Sequence, residues 1–177
     1  MIVKGIEYED FANYKMPSMF IAFPTCSFKC DKEAGCTVCQ NSELASAPCL
    51  AVSEDYLVNS YVNNPITSAI VLGGLEPFDS VYDLRLLIWK FRKKTNDPII
   101  IYTGYTEEEV RKLEYIQTGT GCKINVLNEI LDNKNIIIKY GRYIPNMPSR
   151  ADDVLGIVLA SDNQYALAYN WEVEENA

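Results

Sequence analysis

Short apolar runs recur along the chain, with polar stretches between them long enough to hold one helix each. MFIAF at 19–23, ITSAIVL at 66–72, the run at 98–102, the run at 135–140 and VLGIVLA at 154–160 each read as a buried strand. A brief apolar run bounded by Gly, Pro or polar turns has no face left for solvent. Between these runs the period changes. Ser53 opens a helix through Asn63 with Leu57, Val58 and Tyr61 on one side, and Pro65 closes it. Asp79 or Ser80 is the expected cap of a second helix, in which Val81, Leu84, Leu87, Ile88 and Phe91 form a stripe that gives way to Arg92, Lys93 and Lys94. Cations at that end suit the helix dipole. Thr106 followed by Glu107, Glu108 and Glu109 predicts a capping box for a third helix carrying Val110, Leu113 and Ile116. Strands alternating with helices pair in parallel through right-handed crossovers, so the fold class is α/β with mostly parallel strands. An open sheet and a partial (β/α) barrel both satisfy the pattern. In either, the loops after the strand C-termini carry the site, which places the cysteine loop at 25–46 and the Gly73-Gly74 turn at one end of the sheet.

Composition narrows the function more than the fold. A chain of 177 residues is one domain, expected to span 1–177 with a frayed acidic tail at 171–177. Sixteen Lys plus Arg against 24 Asp plus Glu leave a net charge of -8, which predicts no nucleic-acid partner and no attraction to anionic lipid. No apolar run is long enough to span a bilayer, and the opening MIVKGIEYEDFA has no continuous apolar core, so the expected location is the cytoplasm. There is no histidine. That removes the common general base, the histidine-dependent nucleophile schemes and every histidine-containing zinc site.

Six cysteines in such a protein should stay reduced, and four of them crowd into the segment from Cys26 through Cys30 and Cys36 to Cys39. A structural zinc knot is one reading, since four thiolates make a tetrahedral set. Zinc knuckles usually stand further apart, whereas an iron-sulfur cluster accepts thiolates on successive corners from one wrapped loop. Gly73 and Gly74 end a buried strand where a ligand could approach the backbone, and Glu76 adds a carboxylate for an ammonium or hydroxyl group. Cys49 and Cys122 stand alone and are expected to be small buried hydrophobes without a role. The twelve tyrosines are spread along the chain as packing and contact residues.

The ordered set CSFKC, CQN, GGLEP, YTGYT, GRYIPN and SDNQ resembles the radical S-adenosylmethionine activases of glycyl radical enzymes, most closely those serving anaerobic ribonucleotide reductase. The likeness covers about residues 18 to 165. It implies a partial barrel, a 4Fe-4S cluster on three cysteines, and S-adenosylmethionine on the open iron. Reductive cleavage would give a 5'-deoxyadenosyl radical that takes hydrogen from a glycine of the partner, the large subunit of anaerobic ribonucleotide reductase. The resemblance also implies an electron donor such as flavodoxin. Cys26 and Cys30 match the first two cluster ligands, and Cys39 before Gln40 and Asn41 matches the third, with an insertion leaving Cys36 spare; the competing assignment takes Cys36 and Cys39 and drops Cys30. Gly73, Gly74 and Glu76 resemble the segment that receives the methionine ammonium, interrupted here by Leu75. Thr103 and Gly104 resemble a strand-end motif beside the cofactor, and Ser161, Asn163 and Gln164 its closing segment. Where the family commonly has Asp before Gly141, this chain has Tyr140 preceded by Lys139, a residue expected either to reach a cofactor carboxylate or to be solvated. A zinc-binding interaction module and a radical enzyme acting on a small molecule are the alternative functions.

Overall fold

A computed structural model describes residues 1–171. Six strands form an open sheet in which spatial order follows chain order: β1 (Gly5–Asp10), β2 (Ser18–Phe23), β3 (Ala69–Gly74), β4 (Ile99–Tyr102), β5 (Ile136–Tyr140) and β6 (Tyr165–Tyr169). β2 to β5 are parallel, while β1 and β6 pair antiparallel at the two edges. The helices are α1 (Lys29–Ala34), α2 (Ser42–Ser46), α3 (Glu54–Val62), α4 (Val81–Arg92), α5 (Glu107–Arg111) and α6 (Val126–Leu131).

The chain steps in one direction across the parallel strands, so crossovers of one hand put the connecting helices on one face. There Leu57 and Val58 of α3, Leu84, Leu87, Ile88 and Phe91 of α4, Val110 of α5 and Val126, Leu127 and Ile130 of α6 pack on Met19, Ile21, Ile70, Leu72, Ile99, Ile101, Ile136 and Ile138. Alternate strand residues point the other way. One row across that second face is Phe20, Val71, Ile100 and Ile137, and the row nearer the strand ends has Tyr102 beside Lys139, with Gly73 against Tyr102. A small hairpin, Arg150–Asp152 with Ile157–Leu159, covers part of this face through Leu155 and Leu159, joined by Tyr14. The Asp152 carboxylate fixes the hairpin by accepting from Leu155 N and Ala166 N, both at 2.9 Å. Among the described residues no helix is long and apolar enough to cross a membrane.

Several sequence expectations need correction. β3, expected at 66–72, starts at Ala69 and takes in both glycines, because Gly73 and Gly74 continue the parallel ladder with Ala22 and Phe23. Neither Asp79 nor Ser80 caps α4 with its side chain; Pro77–Ser80 forms a 3-10 turn instead, capped by Glu76 accepting from Phe78 N. The Thr106 capping box is present, but α5 stops at Arg111 and Ile116 lies exposed in a short strand, Glu114–Ile116, paired with Lys123–Asn125. VLGIVLA is not a strand of the central sheet: Gly156, at φ +70°, turns the chain inside it, and only Ile157–Leu159 is a strand, in the small hairpin with Arg150–Asp152. The strands β1 and β6 and the helix α6 were not foreseen. Cys49 and Cys122 are exposed. The proposed frayed tail falls, apart from Trp171, outside the described residues.

Candidate functional site

The C-terminal ends of β2 to β5 open onto a cavity of about 480 Å³, lined by Cys26, Cys30, Cys39, Glu76, Thr103 and Lys139 among others. That volume lies in the small-molecule range of roughly 300–1,000 Å³. The cysteine loop reaches this rim because its start extends the parallel ladder: Leu75 N donates to Phe23 O at 3.3 Å and Glu76 N to Thr25 O at 2.8 Å. Further along, Ser27 N donates to Asp79 Oδ2 at 2.6 Å, and Asn41 Nδ2 donates to Gly74 O at 2.6 Å. Both ends of the loop are therefore tied to the end of β3 and the turn after it.

Asp31 explains which thiols meet. Its Oδ1 accepts from Val38 N and Cys39 N, both at 2.8 Å, and so closes the inserted segment and returns the chain beside Cys30. Cys30 and Cys39 come within hydrogen-bonding reach of each other, and Cys26 feels the charge of Cys39. Cys36 is exposed and outside the cavity lining. Burial pushes the Cys26 thiol up to about 11, against the Phe28 N–H that donates to it. Burial first, and then Cys39, push Cys30 up to about 11. Metal binding at these positions displaces protons. Among the described residues no three Cys, Asp or Glu side chains converge on an ion-sized point. Cys26, Cys30 and Cys39 line one cavity from a single wrapped loop, the way in which one loop supplies successive thiolates to a cluster.

Glu76 is 4% exposed and its carboxylate already works as a brace: Thr103 Oγ1 donates at 2.7 Å, Gly104 N at 2.8 Å and Phe78 N at 3.2 Å. Three of its roughly four acceptor positions are thus used within the protein. Burial pushes the carboxyl up to about 7, with the Thr103 hydroxyl and the two amides pulling it back. The glycine pair also has a structural cause. A Cβ on Gly74, at φ +82°, would stand 2.7 Å from the Ala22 backbone, and one on Gly73 would meet Phe20 at 3.1 Å. Ligand approach is not needed to explain either glycine.

Asn163 is not in this cavity. It lines a neighbouring pocket with Arg142, Tyr143 and Pro145, where its Nδ2 donates to Arg142 O at 2.8 Å and its Oδ1 has no partner; Gln164, next to it, does line the cavity. Lys139 is 7% exposed and so is not solvated; its Nζ donates to Gly141 O at 3.0 Å. Burial lowers it to about 8, opposed by the charge of Glu76. The residues that sequence reasoning missed hold the loop: Glu109 accepts from Arg142 Nη2 at 2.6 Å and from Lys29 Nζ at 3.2 Å. The Arg142 guanidinium, aided by the Thr106 backbone and Lys29, holds the Glu109 carboxyl down at about 2. Lys29 also sits 3.9 Å above the Tyr105 ring, whose hydroxyl bonds Asp79. The sequence marked Glu109 by its capping-box spacing and Lys29, Tyr105 and Arg142 only as members of the CSFKC, YTGYT and GRYIPN segments, with no sign that they meet.

A mostly parallel α/β sheet with a loop of thiols wrapped over its strand ends is the arrangement of an iron-sulfur protein. The family model for the 4Fe-4S single cluster domain matches residues 18–156, and the chain belongs to that family. No curated protein and no solved structure matches it.

Proposed function

We propose that the chain is a radical S-adenosylmethionine activase of a glycyl radical enzyme, with Cys26, Cys30 and Cys39 holding the 4Fe-4S cluster. The observation that carries this reading is the selection among the four thiols: three line one cavity while Cys36 points outside it. Three protein thiolates leave one corner of a four-iron cluster for an exogenous ligand. When bound, the cluster supplies the single electron that splits S-adenosylmethionine into methionine and a 5'-deoxyadenosyl radical, which takes hydrogen from a partner glycine. The protein's own contribution is placement and exclusion of water. Phe20, Tyr102 and Leu159 give the cavity apolar walls, and the Glu76 brace fixes the ends of β3 and β4 beneath the thiol loop. The one-directional strand order with helices on a single face supports the incomplete-barrel reading. An open sheet edge suits a protein loop as substrate, and the partner in this reading is the large subunit of anaerobic ribonucleotide reductase, with an electron donor such as flavodoxin.

Oxygen-free reconstitution tests the reading. The protein is expected to bind iron and sulfide, to show a reducible 4Fe-4S signal that changes on adding S-adenosylmethionine, and to release 5'-deoxyadenosine with reductant. One equivalent of zinc without iron or sulfide, or a cluster signal indifferent to the nucleotide, overturns it.

A further inference from the structure

We infer that Asp31 decides which thiol completes the cluster's ligand set: its grip on the Cys39 amide presents Cys39 to the cavity and keeps Cys36, an equally able ligand, outside. This rests on the reading above. Tether length does not make the choice. Cys36 stands closer to Cys30 in the chain than Cys39 does, and six residues of extended chain span up to about 20 Å. Chemistry does not make it either, since both are free thiols. Packing leaves it open as well. α1 has no buried residue, Gly35 at φ +68° ends it in the left-handed turn usual after a helix, and residues 32–37 are exposed throughout.

What remains is the carboxylate beside Cys30. Asp31 Oδ1 accepts from both Val38 N and Cys39 N at 2.8 Å, and a carboxylate holds such donors more strongly than a neutral oxygen does. Because Asp31 directly follows Cys30, the amide of Cys39 is fastened one residue from the thiol that Cys39 must join. In the same register Cys36 is exposed and does not line the cavity. Downstream, the chain is held a second time: Ser42 N donates to Cys39 O at 3.3 Å, and Asn41 Nδ2 to Gly74 O at 2.6 Å. Releasing the carboxylate therefore frees the stretch before Cys39 without unfastening the stretch after it. That asymmetry lets Cys36 take the place of Cys39 once the grip is gone and Cys39 is removed.

The test is suppression of a lost ligand. Oxygen-free reconstitution is run on wild type, on Cys39→Ser, and on Cys39→Ser combined with Asp31→Ala, with Asp31→Asn, or with Asp31→Ala and Cys36→Ser together. Iron, sulfide, visible absorption and melting temperature are recorded for each. Cys39→Ser alone should hold no cluster. Adding Asp31→Ala should restore iron and sulfide to at least about half of the wild-type content through Cys36, whose thiol gives up its proton on binding. Adding Cys36→Ser should remove both again. Asp31→Asn should restore nothing, because its amide oxygen still accepts from both backbone amides. A carboxylate with only a structural duty would give no recovery; its loss would lower the melting temperature and leave the Cys39 variant empty. A second measurement needs no cluster. In reduced apo-protein, Asp31→Ala should speed iodoacetamide alkylation of Cys39, read by mass spectrometry, by roughly tenfold, the worth of a hydrogen bond to a charged group, and leave that of Cys36 within about twofold. A cluster in Cys39→Ser with Asp31 intact, no recovery with Asp31→Ala, recovery that survives Cys36→Ser or occurs with Asp31→Asn, or unchanged alkylation of Cys39 each overturns the inference. Wild type that takes up no iron and sulfide overturns the parent reading and this inference with it, whereas a wild-type cluster that responds to S-adenosylmethionine, beside an empty Asp31→Ala and Cys39→Ser double variant, sinks this inference alone.

Discussion

The two faces of the sheet are built from the same strands and have opposite duties. Towards the helices, β5 presents Ile136, Ile138 and Tyr140 to an apolar layer sealed by α3 to α6. Towards the cavity it presents Ile137 and then Lys139, and β3 ends its own cavity row in Gly73. Below the strand ends the second face is as apolar as the first, with Val71, Ile100 and Ile137 fully covered. Polarity appears only in the last row, where the loops begin. The lesson is that stability is concentrated on the helix side and chemistry at one rim, so substitutions at the two places should separate.

The sharpest separation is expected at the thiols. Serine at Cys26, Cys30 or Cys39 should abolish the bound iron and sulfide, whereas Cys36→Ser should keep both, as read by iron and sulfide analysis and visible absorption; loss of cluster in the Cys36 variant alone would break the ligand choice. On the helix side, Leu87→Ala should cost about 2–5 kcal/mol in denaturant unfolding, because the residue is fully buried and its neighbours in α3 and the sheet cannot collapse completely into the gap. Its cluster content per folded chain should be unchanged, and a loss would show that the faces are coupled. Gly74→Ala, at the junction of the two regions, should cost roughly 3 kcal/mol through its positive φ and the Ala22 backbone, while Gly104→Ala, whose added methyl meets only ordinary contacts, should stay within about 0.5 kcal/mol.

The smallest effect is one of pH. Because Arg142 holds Glu109 below its ordinary carboxyl value of 4.5, at about 2, the pair adds stability above that ordinary value and loses it as the pH falls from there towards 2. The difference in unfolding midpoint between wild type and Glu109→Gln should therefore be present at pH 7 and shrink by pH 3. A constant difference would mean that ionisation of the carboxyl carries none of it.

The sequence made the interior of the fold readable and hid its borders. β2 to β5 are buried on both faces, so their apolar runs stand out against polar loops. β1, GIEYED, is an edge strand with exposed Glu7, Tyr8 and Glu9, and it needs no apolar run to exist. β6 borrows its register from β5, from Tyr165 opposite Tyr140 to Tyr169 opposite Ile136, in a pattern too mixed to mark. At the site, the crowding of the cysteines was legible because residues of one short loop stay near one another, and three of the four thiols line one cavity. Lys139 was ambiguous because a lysine at a strand end is usually solvated, and its burial arises only in the folded chain. The link between Arg142 and Glu109 joins residues 33 apart and leaves no local trace.

The clamp by Asp31 also separates length from function. Since one carboxylate grips the amides of Val38 and Cys39, the end of α1 and the turn after it form an exposed appendage closed at its base, with Gly35 at φ +68° and nothing within 4 Å of an added methyl. Extra residues spliced in at Gly35 would lengthen only that appendage. This gives the molecule a tolerant attachment point, close to its reactive rim, for a label or a tether.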